Sequence, residues 1–336
     1  MKSLKLKLVT LTSLLVAAFA VNANGYSNVY VFGDSLSDNG NLNAIAPDQT
    51  YGERFTNGPV AVEVVAAALG HTLTPSLHLA GGYTGNNFAI AGAKAVDEDG
   101  DESTPDINLP TQVNAFLQIN AGVAPSDALY IVLIGGNDIR AAREIRSGAV
   151  FASTAEERQA IRQAANASLK AAVESEIAQI EKLIASGAQH ILVSNAPDIG
   201  AIPETDLVVA GLLANTQTTR QERKANRLIH VTTKLSAKFN RKLDRKLARL
   251  EHQTGVDFIE YDLFSFLTDQ VDNAEDYGYT NTDDACAYML SQGGTLHPEC
   301  DGYVTATGFL FYDEIHPTTQ AHQAAGMEIV QTLLAQ

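Results

Sequence analysis

Four short apolar runs, at Asn28–Phe32, Leu129–Ile134, His190–Ser194 and Val256–Tyr261, alternate with long stretches in which alanine and charge recur at helical spacing. Runs of this length, rich in β-branched and aromatic residues, read as strands buried on both faces. A helix between successive strands makes them parallel. The alternation therefore restricts the chain to an α/β fold, a central parallel sheet covered by helices on both sides. The longest helices are expected from about Ala155 to Ser186 and from about Asn215 to His252. Ser153 or Thr154 can cap the first of these and Gly187 can end it. A last helix is expected from about Thr318 to Leu334. No internal repeat, low-complexity linker or Pro/Gly-rich boundary interrupts the pattern, so one domain is expected over residues 24–336. Ligands of open α/β sheets sit beyond the carboxyl ends of the strands, which directs attention to the turns there.

The first run ends in Gly33-Asp34-Ser35-Leu36-Ser37-Asp38-Asn39-Gly40-Asn41, a sharp turn with a serine at the sheet edge. It is not the Gly-x-Ser-x-Gly elbow, because position 37 is serine. A serine hydroxyl becomes a nucleophile when a histidine takes its proton, and the histidine works best when a carboxylate fixes its tautomer. Near the C-terminus, Asp313-Glu314-Ile315-His316-Pro317 offers that pair in one tight turn. Pro317 disfavours helix at the residue before it, so His316 ends a loop. By itself an Asp-x-x-His is more often a turn aspartate and a surface histidine; beside the Ser35 segment it reads otherwise.

The Ser35 segment resembles the first sequence block of the GDSL, or SGNH, hydrolases, and the Asp313–His316 segment resembles their last block. Asn86-Asn87-Phe88-Ala89-Ile90-Ala91-Gly92-Ala93 is similar to the block in which a loop glycine offers its backbone N–H, here Gly92. Ile131–Asp138, ending in Gly135-Gly136-Asn137-Asp138, is similar to the block carrying the family's oxyanion asparagine, here Asn137. Arg54–Pro59 and Ser194–Gly200 look like further landmarks. The resemblance implies a flavodoxin-like SGNH fold of three α/β/α layers. It also implies Ser35 as nucleophile, His316 as general base and then acid, and Asp313 as its orienter. The Ser35 and Gly92 amides and the Asn137 side chain would form the oxyanion hole. No cofactor or metal is expected. The extended first block favours the secreted lipolytic branch, with phospholipases, lysophospholipases and acyltransferases, acting on acyl esters of lipids. Two other readings stay open: a short-chain carboxylesterase or carbohydrate O-acetylesterase with the same triad, and a non-catalytic binding module.

Lys2, Lys5 and Lys7 precede an apolar run from Leu8 to about Ala20, and Val21-Asn22-Ala23 offers small residues for cleavage. Residues 1–23 thus read as a secretory signal peptide, with a secreted or periplasmic product. Cys286 and Cys300, the only cysteines, suit one disulfide in an oxidising compartment, bridging a surface excursion upstream of Asp313. The formal charge of −16 speaks against nucleic acid and against electrostatic docking on anionic lipid. Transient contact with a membrane or micelle would then be apolar, with Ala149–Phe151 and Leu207–Leu213 as candidate rims, and a monomer is expected. The acidic run Asp97–Glu102 does not match an EF-hand, since its glycine is at the fourth position.

Overall fold

The computed structural model describes residues 25–47, 51–97, 100, 105–288 and 294–336, so the expected signal peptide and most of the acidic run lie outside the described residues. Strands β1 (Val29–Gly33), β2 (Leu129–Leu133), β3 (His190–Ser194) and β4 (Phe258–Tyr261) form one parallel sheet in that spatial order. In chain order the helices are α1 (Asn41–Ile45), α2 (Ala61–Ala68), α3 (Leu109–Ile119), α4 (Gly136–Ser147) and α5 (Ala155–Ala185). They continue with α6 (Pro203–Leu213), α7 (Thr219–Asn226), α8 (Leu228–Thr254), α9 (Leu263–Asp272), α10 (Ala274–Tyr277) and α11 (Thr319–Leu334). Among the described residues no helix is long and apolar enough to cross a membrane.

Strand residues alternate between two cores, as a period of two requires. Phe32, Tyr130 and Val132 pack with Phe116 of α3, Leu169 of α5 and Phe239 of α8. Val31, Leu129 and Ile131 pack on the opposite face with Val65 of α2 and Ile329 of α11. The result is the three-layer α/β/α arrangement that the strand pattern implied.

Thr154 caps α5 by accepting from the Glu157 amide at 3.1 Å, while Glu157 accepts from the Thr154 amide at 3.2 Å. The expected helix Asn215–His252 is instead two, α7 and α8, separated at Arg227. Thr218 caps α7, and Lys224 on it donates to the carbonyls of Ala149 and Val150 at 3.0 and 3.1 Å. Helical charge spacing continues through the break.

A smaller lobe follows α10. Strands β5 (Asn281–Ala285) and β8 (Phe309–Phe311) pair, as do β6 (Ala287–Tyr288) and β7 (Thr295–Leu296), and Cys286–Cys300 is a disulfide. Cys286 packs with Phe309 and Tyr312, and Tyr51 closes over this cluster.

Candidate active site

Gly33 ends β1 where it lies against β2, and a Cβ there would sit 2.3 Å from the Leu133 carbonyl oxygen. Only glycine allows that approach, and it lets the chain turn sharply so that Ser35 stands at the carboxyl edge of the sheet. The Ser37 and Asp38 amides return to the Asp34 carbonyl at 3.0 Å, closing the turn. Asp38 then accepts from the amides of Gly40, Asn41, Leu42 and Ala91 at 2.7–3.0 Å. Asn41 donates to the carbonyls of Asn87 and Ala89 at 2.8 and 2.9 Å. The polar residues after Ser35 are thus the fasteners between two loops. The second of these runs beside β1, with the Phe88 amide donating to Val31 and the Ile90 amide to Gly33, and so carries Gly92 to the same sheet edge.

His316 arrives from the opposite side. Ser35 Oγ–H donates to His316 Nε2 at 2.7 Å, and His316 Nδ1–H donates to Asp313 Oδ2 at 2.7 Å. The other Asp313 oxygen accepts from the Ile315 and His316 amides at 2.8 and 2.7 Å, so the Asp-x-x-His turn is self-locking. Asp313 is only 1% exposed. Burial would raise its carboxyl, but the neighbouring His316 and these hydrogen bonds outweigh burial and hold it below the ordinary carboxylate range. Phe55 packs its ring 5.3 Å from that of His316, with Tyr51 edge-on at 6.4 Å. The Tyr51 hydroxyl is pushed up by burial and by Asp313 and stays protonated. Thr56 Oγ1 donates to the Pro317 carbonyl at 2.8 Å and Asn57 accepts from the Thr319 amide at 2.8 Å, so the Arg54–Pro59 segment braces the histidine loop.

Asn137 sits in the first turn of α4, directly after the β2 edge. Its Nδ2 donates to the Ala93 carbonyl at 2.9 Å and its Oδ1 accepts from Arg140 Nη1 at 2.8 Å. An amide nitrogen has two hydrogens, so one remains. The Ser35 and Gly92 amides and the second Asn137 N–H are thus donors with no protein acceptor among the described residues. Asp34, fully buried beside them, is pushed up to about 6 by burial, against the Leu36 amide and the charges of His316 and Arg140.

An open-mouthed cavity starts at Ser35, Asn137 and His316 and runs under the carboxyl ends of β2–β4. Its walls are mainly apolar and include Leu133, Pro197, Ile199, Phe266, Leu267 and Ile329. The apolar rims expected at Ala149–Phe151 and Leu207–Leu213 do not border it; Phe151 and Leu207 face outward. Sequence reasoning passed over Arg140 and Glu204. Arg140 reaches Glu204 through Nε at 2.8 Å and through Nη2, and Arg143 reaches the same carboxylate at 2.8 Å. It also passed over His322, a cavity-lining histidine whose Nδ1 accepts from the Ala61 amide at 3.2 Å. Among the described residues no group of acidic, histidine or cysteine side chains could hold a metal ion.

A family model described as GDSL-like Lipase/Acylhydrolase matches residues 29–329. The chain is 26% identical to Lipase 1 of Photorhabdus luminescens, a match covering 94% of this chain and 51% of that protein. It is 24% identical to GDSL esterase/lipase At5g37690 of Arabidopsis thaliana, covering 91% of this chain and 89% of that protein. With GDSL esterase/lipase LTL1 of the same plant it shares 26% identity over 88% of this chain and 84% of that protein. The chain thus spans about half the length of the bacterial lipase and most of the length of the plant proteins.

Proposed function

The chain belongs to the GDSL-like lipase/acylhydrolase family of carboxylic ester hydrolases, and from that membership we propose that it cleaves acyl esters of lipids through Ser35, His316 and Asp313. In this reading Ser35 Oγ attacks the ester carbonyl carbon while its proton passes to His316 Nε2. The carbonyl oxygen becomes an oxyanion, met by the Ser35 and Gly92 amides and the free Asn137 N–H. Collapse breaks the bond to the alkoxy oxygen, which leaves with the proton from His316 and leaves the acyl group on Ser35. Water then repeats the sequence, giving the fatty acid and restoring the hydroxyl. Asp313 holds the imidazole in the required tautomer and stabilises its cation. The steps use only side chains and amides of the chain itself, acting as one catalytic unit over residues 24–336. Export behind residues 1–23, to the periplasm or beyond, belongs to the same proposal.

The apolar cavity running from Ser35 carries the choice of a lipid acyl group over acetate. Each methylene desolvated there contributes about 0.8 kcal/mol, and where that is realised in the transition state it raises catalytic efficiency. A series of soluble esters of increasing acyl length, assayed below micelle formation, should show efficiency climbing over several added carbons, followed by acyl release from lysophospholipid. A sharp optimum at acetate with no lysophospholipid cleavage would favour the small-ester or carbohydrate acetylesterase reading.

A further inference from the structure

We propose that Arg140 is a positioning residue for the oxyanion donor, holding the Asn137 amide in the one orientation that turns an N–H toward the ester, with Glu204 holding Arg140 in turn. The proposal rests on the serine-hydrolase reading above.

An asparagine side chain can occupy two orientations related by a half-turn, and only one presents Nδ2 where Oδ1 would otherwise lie. Two neighbours decide between them. The Ala93 carbonyl can only accept, and it takes one Nδ2–H at 2.9 Å. The Arg140 guanidinium can only donate, and Nη1 meets Oδ1 at 2.8 Å. In the flipped state a carbonyl would face a carbonyl and an NH₂ would face a cation, so both contacts become repulsive. With the Ala93 contact alone the amide could still swing about that single hydrogen bond; the second contact fixes its plane. A cation on Oδ1 also draws electron density from the amide nitrogen, which strengthens the remaining N–H as a donor to a developing negative charge.

Arg140 is fixed with comparable care. It lies one helical turn beyond Asn137 on α4, which puts both side chains on the same face. Its Nε and Nη2 grip both oxygens of Glu204 on α6, a bidentate pairing that fixes the plane of the guanidinium. Arg143, one turn further and buried, donates to the same carboxylate at 2.8 Å and to Thr205 Oγ1 at 2.8 Å. Both arginines thus share one carboxylate, and Asp34 lies close enough to Arg140 to feel its charge. The Glu204 amide donates to the Glu314 carbonyl at 2.8 Å, between Asp313 and His316 in sequence. One acidic residue therefore joins the oxyanion side of the site to the acid–base side.

The test is a double-mutant cycle on a soluble short-chain ester, with kcat and KM measured separately for wild type, R140A, N137A and R140A/N137A. Melting temperatures accompany each. If Arg140 acts through Asn137, R140A lowers kcat by about 10- to 100-fold with KM nearly unchanged, a part of the hundred- to thousandfold typical of losing such a donor outright. Adding R140A to N137A then costs almost nothing further. R140K, which restores one donor but not the bidentate grip, recovers part of kcat, and E204Q loses a part. Full multiplicative losses in the double variant would overturn the proposal, because Arg140 would then act independently of Asn137. So would a raised KM at unchanged kcat, which is the signature of direct substrate contact. If R140A proves too unstable to purify, R140K and E204Q against the N137A background give the same decision. S35A, measured alongside, separates this outcome from failure of the serine-hydrolase reading itself.

Discussion

In the proposed mechanism His316 serves Ser35 only while its far nitrogen stays protonated, and Asp313 would secure that with a single carboxylate. One oxygen takes the Nδ1–H, and the other takes two amides of its own turn. Asp313→Asn leaves the shape but offers an NH₂ where an acceptor is needed. A loss in kcat of about ten-thousandfold is expected, with His316→Ala at least as severe and residual turnover surviving on the oxyanion donors. Assays on purified variants with unchanged melting temperature check this. Near-normal turnover in His316→Ala would point to another histidine, and His322, in the same cavity, is the one to examine. At this scale the sequence was legible wherever contacts are local: Asp313 and His316 lie in one turn, and Ser35 lies in the turn after β1. Arg140 and Glu204 were not legible, because 64 residues separate them and a charged residue on a helix ordinarily reads as solvated surface.

The elements place the site through their joints. Gly135 joins β2 to α4 at φ 110°, and a Cβ there would lie 2.6 Å from the Phe239 ring of α8. Gly135→Ala should therefore cost about 1–3 kcal/mol in urea unfolding from overpacking, with a further penalty from the left-handed backbone. It should also lower kcat by shifting Asn137. A second joint links α2 to α11, where His322 Nδ1 accepts from the Ala61 amide. Burial, then the charge of His316, hold the His322 imidazole down at about 3, so it is neutral when folded. A histidine depressed in the folded state contributes stability above its unfolded value, near 6.5, and that contribution drains away as pH falls toward 3. Stability should drop by up to about 1.4 kcal/mol per pH unit over that window from this group alone. His322→Gln should flatten the slope in urea melts between pH 7 and 4.5, and an unchanged slope would contradict the assignment. The four strands of the main sheet were readable to within two residues because apolar runs bounded by turns leave little choice. The short strands β5–β8 of the smaller lobe were not expected. The break at Arg227 was not readable either, since helical charge spacing runs straight through it.

For the whole molecule, the net charge proved a poor guide to the surface. A formal −16 hides a basic outer face on α8, where Lys234, Lys238, Arg241, Lys242, Arg245, Lys246 and Arg249 outweigh Asp244 and Glu251. Composition sums over faces that folding separates. The cavity was equally out of reach of the sequence, because its walls come from the ends of three strands and from α9 and α11. The cysteine pair, by contrast, was legible from count and spacing. Replacing Cys286 and Cys300 by serine should cost on the order of 3 kcal/mol for a closed loop of about 15 residues, lowering Tm by about 5 °C. Turnover well below the melting temperature should persist, since neither sulfur borders the Ser35 cavity.

Covalent capture of the serine tests the central claim most directly. The folded protein is treated with a fluorophosphonate, digested, and the modified peptide is located by mass spectrometry. The expected result is one phosphonyl group per chain, on Ser35, with labelling slowed at least a hundredfold in His316→Ala and ester hydrolysis lost in step with modification. A label on any other residue, or hydrolysis continuing while Ser35 is fully modified, would contradict it.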